Sequence, residues 1–136
     1  MKSRSLLVVE VVAEMSREPF EYGVLDCCLF AARAVKAVTG HDYSGDWRYS
    51  TKEQASAILQ AKSGLRAFVT GVTGVKPVDK GSTLDGDPLL LRLPPSLSPG
   101  ELLAVRMGEF AVYKTMRGIS KIPITSHHVE CGWRID

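Results

Sequence analysis

Apolar residues recur three and four apart between Ser5 and Ser16 (Leu6, Leu7, Val9, Val12, Ala13, Met15), the spacing that turns one stripe of a helix toward a core. Pro19 cannot prolong that helix, so the pattern predicts a first helix over 5–16. A second is predicted over 27–39. Asp26 suits its N-cap, Cys28, Phe30, Ala31, Val35 and Val38 supply a buried face, and Gly40 ends it. Thr51 and Gln54 form a capping-box pattern ahead of a third helix reaching about Lys62, and a short helix from Leu65 to Thr70 follows.

After Val72 the period changes. Glycines, prolines and β-branched residues replace the helical spacing, and DPLLLRLP, ELLAVRMG, EFAVYKT, GISKIPI and GWRI read as short strands. Gly108-Glu109 and Arg117-Gly118 suit tight hairpins. Helices first and an antiparallel sheet second is the α+β order, and 136 residues suffice for one domain, 1–136, with one core.

Composition narrows the function classes. A hydrophobic share of 45% and a charged share of 24% fit a folded chain. The net charge of +2 is spread along the sequence instead of gathered into a patch, so neither nucleic acid nor an anionic membrane is an expected partner. The apolar run Leu6–Ala13 follows Lys2 and Arg4, but Glu10 and Glu14 interrupt it and no small-residue cleavage site follows, which favours an amphipathic helix over a signal peptide or membrane insertion.

Candidate chemistry centres on Cys27 and Cys28 in the stretch PFEYGVLDCCLF. A thiol at a helix start is more easily ionised, because unpaired N–H groups and the positive end of the macrodipole favour a thiolate. Cys27 is therefore the candidate nucleophile, against the plainer reading of a small packing residue. Cys28 points about 100° away around the helix and reads as core. With Cys131 the cysteine number is odd, and reduced thiols in a cytoplasmic setting are expected. His127 and His128, in SHHVEC between two predicted strands, read either as solvated loop residues or as substitute bases. His41 follows the helix-ending Gly40, about 20 Å from Cys27 by helix length. The cysteine and histidine spacing matches no standard zinc arrangement, so neither metal nor cofactor is expected. Tyr22 and Trp47 flank the Cys27 helix in loops and are the candidate binding residues, lining a cleft or facing a partner.

Tyr22 and Gly23, Asp26 and Cys27, Thr39 and Gly40, and Gly86 and Asp87 together resemble the NlpC-type branch of the papain-like cysteine peptidases. PFEYGVLDC, GISKIPI and the closing GWRI resemble small phage-encoded proteins of that branch found among tail-assembly and tail-tip components. The resemblance implies a papain-like α+β fold with N-terminal helices packed on a C-terminal antiparallel sheet, Cys27 as nucleophile, a histidine on the first or second strand as its base, and a polar residue on the next strand to orient the imidazole.

Aligning the histidine-bearing strand with ELLAVRMG places that histidine at about Leu102, and Lys114 falls near the orienting position. Leucine cannot accept a proton, and a cation repels an imidazolium. The expected role is thus a virion structural component of the tail, made in the host cytoplasm, catalytically inactive, and partnered by other phage tail proteins. The alternative is an active cysteine hydrolase acting on bacterial cell-wall peptide, with His127 or His128 as the base.

Overall fold

The structure, a computed structural model, describes residues 2–45, 47, 49–61, 64–94 and 100–136. Four helices come first: α1 (Arg4–Met15), α2 (Cys27–Thr39), α3 (Lys52–Ala61) and α4 (Leu65–Thr73). Five strands follow: β1 (Pro88–Arg92), β2 (Glu101–Met107), β3 (Phe110–Thr115), β4 (Gly118–Pro123) and β5 (Val129–Gly132). The α+β class expected from the periodicities is the one observed. Lys62, where the third helix was expected to end, lies outside the described residues. No helix among the described residues is long and apolar enough to cross a membrane.

Local signals set the helix boundaries. Ser3 accepts the Leu6 amide at 3.2 Å to open α1, and Asp26 accepts the Leu29 amide at 3.0 Å to open α2. Before α3, Thr51 accepts the Gln54 amide at 3.1 Å while the Gln54 side chain accepts from Ser50 N at 2.7 Å, a capping box shifted by one residue. Helix α4 runs three residues beyond the expected Thr70, to the left-handed Gly74.

The strands pair antiparallel in the order β4-β3-β2-β1-β5. β4 and β5 are thus opposite edges, yet only residues 124–128 join them. Two successive turns, closed by Ser126 N to Pro123 O and Val129 N to Ser126 O at 3.0 Å each, hold Pro123 and Val129 within about 14 Å. The outer strands of a flat five-stranded sheet stand about 19 Å apart. The sheet therefore curls, and β1, β2 and β3 bury residues on both faces.

Leu89, Leu91, Leu93, Ala104, Ala111, Tyr113, Ile124 and Val129 fill the concave side, with Leu102 and Ile122 packed against them. Leu90, Leu103, Val105, Val112 and Cys131 face the helices and join Val8, Met15, Leu25, Phe30, Val35, Leu65 and Trp133 in the main core. Burial on both sides explains why β1 reads as an unbroken apolar run.

The last strand departs from the expected GWRI. It starts earlier, at Val129, and stops at Gly132. Trp133 N still bonds Pro88 O on β1 at 3.1 Å, while its fully buried indole turns to α4 and donates from Nε1 to Thr70 Oγ1 at 3.1 Å. The chain end is held by Asp87, which accepts the Ile135 amide at 3.1 Å.

Candidate functional site

The site is the start of α2 with the segments that meet it. Residues Glu21–Leu25 form a tight turn, with Leu25 N bonded to Glu21 O at 2.8 Å and Glu21 N to Leu25 O at 2.9 Å. Its tip carries Tyr22, Gly23 and the 58% exposed Val24. Asp26, 3% exposed, ties this turn to the helix: besides the Leu29 amide, it accepts Gly23 N at 3.1 Å and the Tyr49 hydroxyl at 2.5 Å. Burial, and then the hydrogen bond to Asp26, push the Tyr49 phenol far above its ordinary value, so it remains a donor. Sequence reasoning left Tyr49 out of the site. The only available signal was that a capping carboxylate has a second oxygen needing a donor.

Cys27 and Cys28 follow, both half-buried. The Cys27 thiol is held below its ordinary value, first by hydrogen bonding from the Cys28 thiol, then by the backbone amide of Leu103 on β2; burial and the Asp26 charge oppose them. Cys28 is pushed well above its ordinary value by donating to Cys27 and by burial. Adjacent cysteines thus divide into a more acidic sulfur and a proton-holding neighbour. Cys28 also packs against the main core, as expected of it. Iodoacetamide should accordingly label Cys27 ahead of Cys28 and Cys131 and at lower pH than either; peptide mapping after a pH series checks this. Equal labelling of all three across the series would contradict it.

The structure puts no imidazole beside this pair. His128 sits in the turn before β5, its Nδ1 3.1 Å from Arg92 O, and its ring lies against His127 with centroids 4.1 Å apart. β5 is two strands from β2, a sideways offset of roughly 10 Å from the strand whose amide meets Cys27. His41 lies at the far end of α2, with Nε2 3.1 Å from Asp136 O. Among the described residues, no group of three or more histidine, cysteine, aspartate or glutamate side chains is arranged to hold a metal ion.

The position expected for the histidine also moves by one residue. Leu102 packs on the concave side of the sheet, whereas Leu103 faces the helices. A one-residue step along a strand exchanges faces, so the side chain on the Cys27 side is Leu103. Lys114, two residues past Val112 on the same face of β3, is 3% exposed and donates to Glu18 O at 2.6 Å and Met15 O at 3.4 Å. It closes the C-terminal end of α1 and is committed there.

Of the two candidate binding residues, Tyr22 is at the site. Its ring meets Phe20 edge-on with centroids 5.0 Å apart, and burial followed by the Cys27 and Asp26 charges raises its phenol above the ordinary value. Trp47 is half-buried, packing on Phe68 at 5.4 Å and against the main core, and it lines the apolar hollows beside Cys28. A large aromatic ring beside an apolar helix pair gains more by that burial than by exposure.

Gly86 and Asp87 prove architectural. A Cβ on Gly86 would stand 2.6 Å from the Val38 side chain, so β1 can enter beneath α2 only without one. Asp87, fully buried, accepts the Leu84 and Ile135 amides and pairs with Arg4 at 2.8 Å and Arg134 at 3.5 Å.

No curated protein matches this chain. A family model described as "Domain of unknown function (DUF6950)" matches residues 3–135, nearly the whole sequence, and the chain belongs to that family.

Proposed function

We propose that the chain is a phage tail-tip or tail-assembly component built on a papain-like, NlpC-type scaffold, acting in the virion through protein surfaces and not by hydrolysis. One observation carries the inactive reading: the β2 residue on the α2 side of the sheet, where a base would stand, is leucine, Leu103, and the polar residue on the neighbouring strand, Lys114, is spent on the Met15 and Glu18 carbonyls. A thiolate can attack a peptide carbonyl, but the departing amine must receive a proton, and that acid is ordinarily the imidazolium. Helices preceding a curled antiparallel sheet, with the thiol at the start of the helix that crosses it, support the scaffold assignment. Other tail proteins are the partners under this proposal.

A second reading draws on the lowered Cys27 pKa: a cell-wall peptidase with Cys27 as nucleophile and His127 or His128 brought in as base. One pair of measurements separates the two. The parent and Cys27→Ala are each produced with the neighbouring tail proteins of the same phage, and each is incubated with peptidoglycan fragments. Equal co-purification of both forms, with no peptide released by either, is the expected result. Release of peptide by the parent and not by Cys27→Ala, without binding of tail proteins, would overturn it.

A further inference from the structure

The chain treats the two edges of its sheet differently. The outer side of β5 is covered: Val78 and Gly132 exchange backbone bonds at 2.8 and 3.1 Å, and Lys80 Nζ donates at 2.7 Å to Ser126 O in the turn that leads into the strand. β4 has no such cover. Ile124 N bonds Glu109 O at 2.9 Å, and bonded pairs alternate along an antiparallel ladder, so the register Phe110↔Pro123 commits the N–H and C=O of Gly118, Ser120 and Ile122 to β3. The N–H and C=O of Ile119 and Lys121 therefore point away from β3, and no described residue bonds them. Pro123 brings no donor, and its carbonyl accepts Ser126 N at 3.0 Å, so the open stretch ends there. We propose that this edge of β4 takes up an extended acidic segment of another protein as an added antiparallel strand, the proposal resting on the reading of the chain as one that acts through protein surfaces.

Charge decides the occupant. From Phe110 to Val129 the sequence has no aspartate or glutamate, whereas Lys114, Arg117 and Lys121 are cations. Lys114 is committed to α1, and the carboxylate of Glu18, whose carbonyl it meets, is bound by Arg33 at 2.8 Å. Arg117 and Lys121 form no ion pair among the described residues. Two copies of β4 laid side by side would line up like charges, which opposes self-association, while a strand carrying carboxylates is attracted. A lysine on an edge strand ordinarily guards against pairing. Here the Lys121 ammonium is drawn back over the Phe110 ring, 4.3 Å from its centroid, so its charge stays at hand while the backbone beside it is clear. Ile119 packs against the main core on the helix side of the sheet, the side that Lys121 shares, and Ile122 packs against the concave cluster on the other. The segment that fits thus alternates, with an acid on the face of Lys121 and an aliphatic residue on the face of Ile122.

The test uses the full chain and end-capped fluorescent octapeptides: one alternating glutamate and valine, one alternating lysine and valine, and the glutamate peptide with its glutamate nitrogens methylated. Residues that bond Ile119 and Lys121 carry their side chains on the face of Lys121, so methylation blocks the ladder and leaves the charge in place. Fluorescence anisotropy should show the glutamate peptide binding at least about tenfold more tightly than either of the others. Amide exchange followed by NMR should slow at Ile119 and Lys121 when that peptide is bound. Lys121→Gln, which keeps the amide, should weaken binding about two- to fivefold, and Lys121→Glu should reverse the preference between the acidic and basic peptides. Lys121→Pro removes an N–H that β3 does not use and should abolish binding with the fold retained; if that variant does not fold, the methylated peptide answers the same question on the parent chain. Equal affinity for the peptides, no binding of the acidic one, slowed exchange confined to other amides, or protection of Ile119 and Lys121 on raising the concentration of the chain alone would overturn the proposal. The peptides contain no tail protein, so their failure removes this edge as the contact and leaves co-purification with tail proteins to be decided on its own.

Discussion

Asp87→Ala should cost about 3–4 kcal/mol of stability, a large part of what a domain of this size commands. The carboxylate is 0% exposed and accepts two backbone amides, Leu84 N at 2.8 Å and Ile135 N at 3.1 Å. Alanine leaves both without a partner where water does not reach them, at about 1–3 kcal/mol each when truly orphaned. The paired guanidiniums add less, because the Arg4 and Arg134 side chains are 27% and 38% exposed and can turn to solvent. Urea unfolding of the parent, Asp87→Asn and Asp87→Ala should rank stability in that order, since asparagine keeps one acceptor oxygen. A loss under about 1 kcal/mol for alanine would mean that the C-terminal segment finds other partners.

The same residue shows what was legible beforehand. A Gly-Asp pair ahead of an apolar strand was visible as a motif, and the strand was found where it was expected. The motif's purpose was not visible, because it depends on Arg4, Ile135 and Val38, which come from the two ends of the chain and from α2. The starts of α2 and α3 were readable for a local reason: Asp26 and Thr51 bond amides three residues away, and such signals survive in one dimension. The curl of the sheet is a long-range consequence of two turns closing 124–128, and no window of the sequence carries it.

At the site the errors were of two physical kinds. Leu102 and Leu103 differ by one step of a strand whose faces are both buried, so hydrophobicity could not say which side meets Cys27. Tyr49 and Trp47 find their partners far along the chain, one fixed to Asp26 across 23 residues and the other packed on Phe68 of α4, which no local pattern carries. The place of Cys27 at the start of α2 was readable, since a cap followed by cysteine is a local pattern, whereas the Leu103 amide that helps to lower its thiol was not.

Gly23→Ala should be the most damaging small change near the thiols. Gly23 has φ +81°, and a Cβ there would stand 1.9 Å from the Tyr49 carbonyl oxygen and 3.0 Å from its carbonyl carbon. The left-handed conformation alone costs a residue with a Cβ about 1–2 kcal/mol, and forcing apart two packed backbone segments adds about 1–3 kcal/mol. A total near 3 kcal/mol or more is expected in urea unfolding. The clash also falls within the network that caps α2, because Gly23 N and the Tyr49 hydroxyl both bond Asp26 Oδ2. Separating the turn from the loop therefore disturbs the helix start that favours the Cys27 thiolate, and alkylation of Cys27 at pH 7 should slow even under conditions where the variant remains folded. Tyr49→Phe is the control: it removes one hydroxyl without a backbone clash, costs about 1–3 kcal/mol through the lost hydrogen bond to a buried carboxylate, and leaves the turn in place. If Gly23→Ala unfolds no more easily than Tyr49→Phe and labels at the parent's rate, the close approach of Tyr49 to Gly23 does not hold the start of α2.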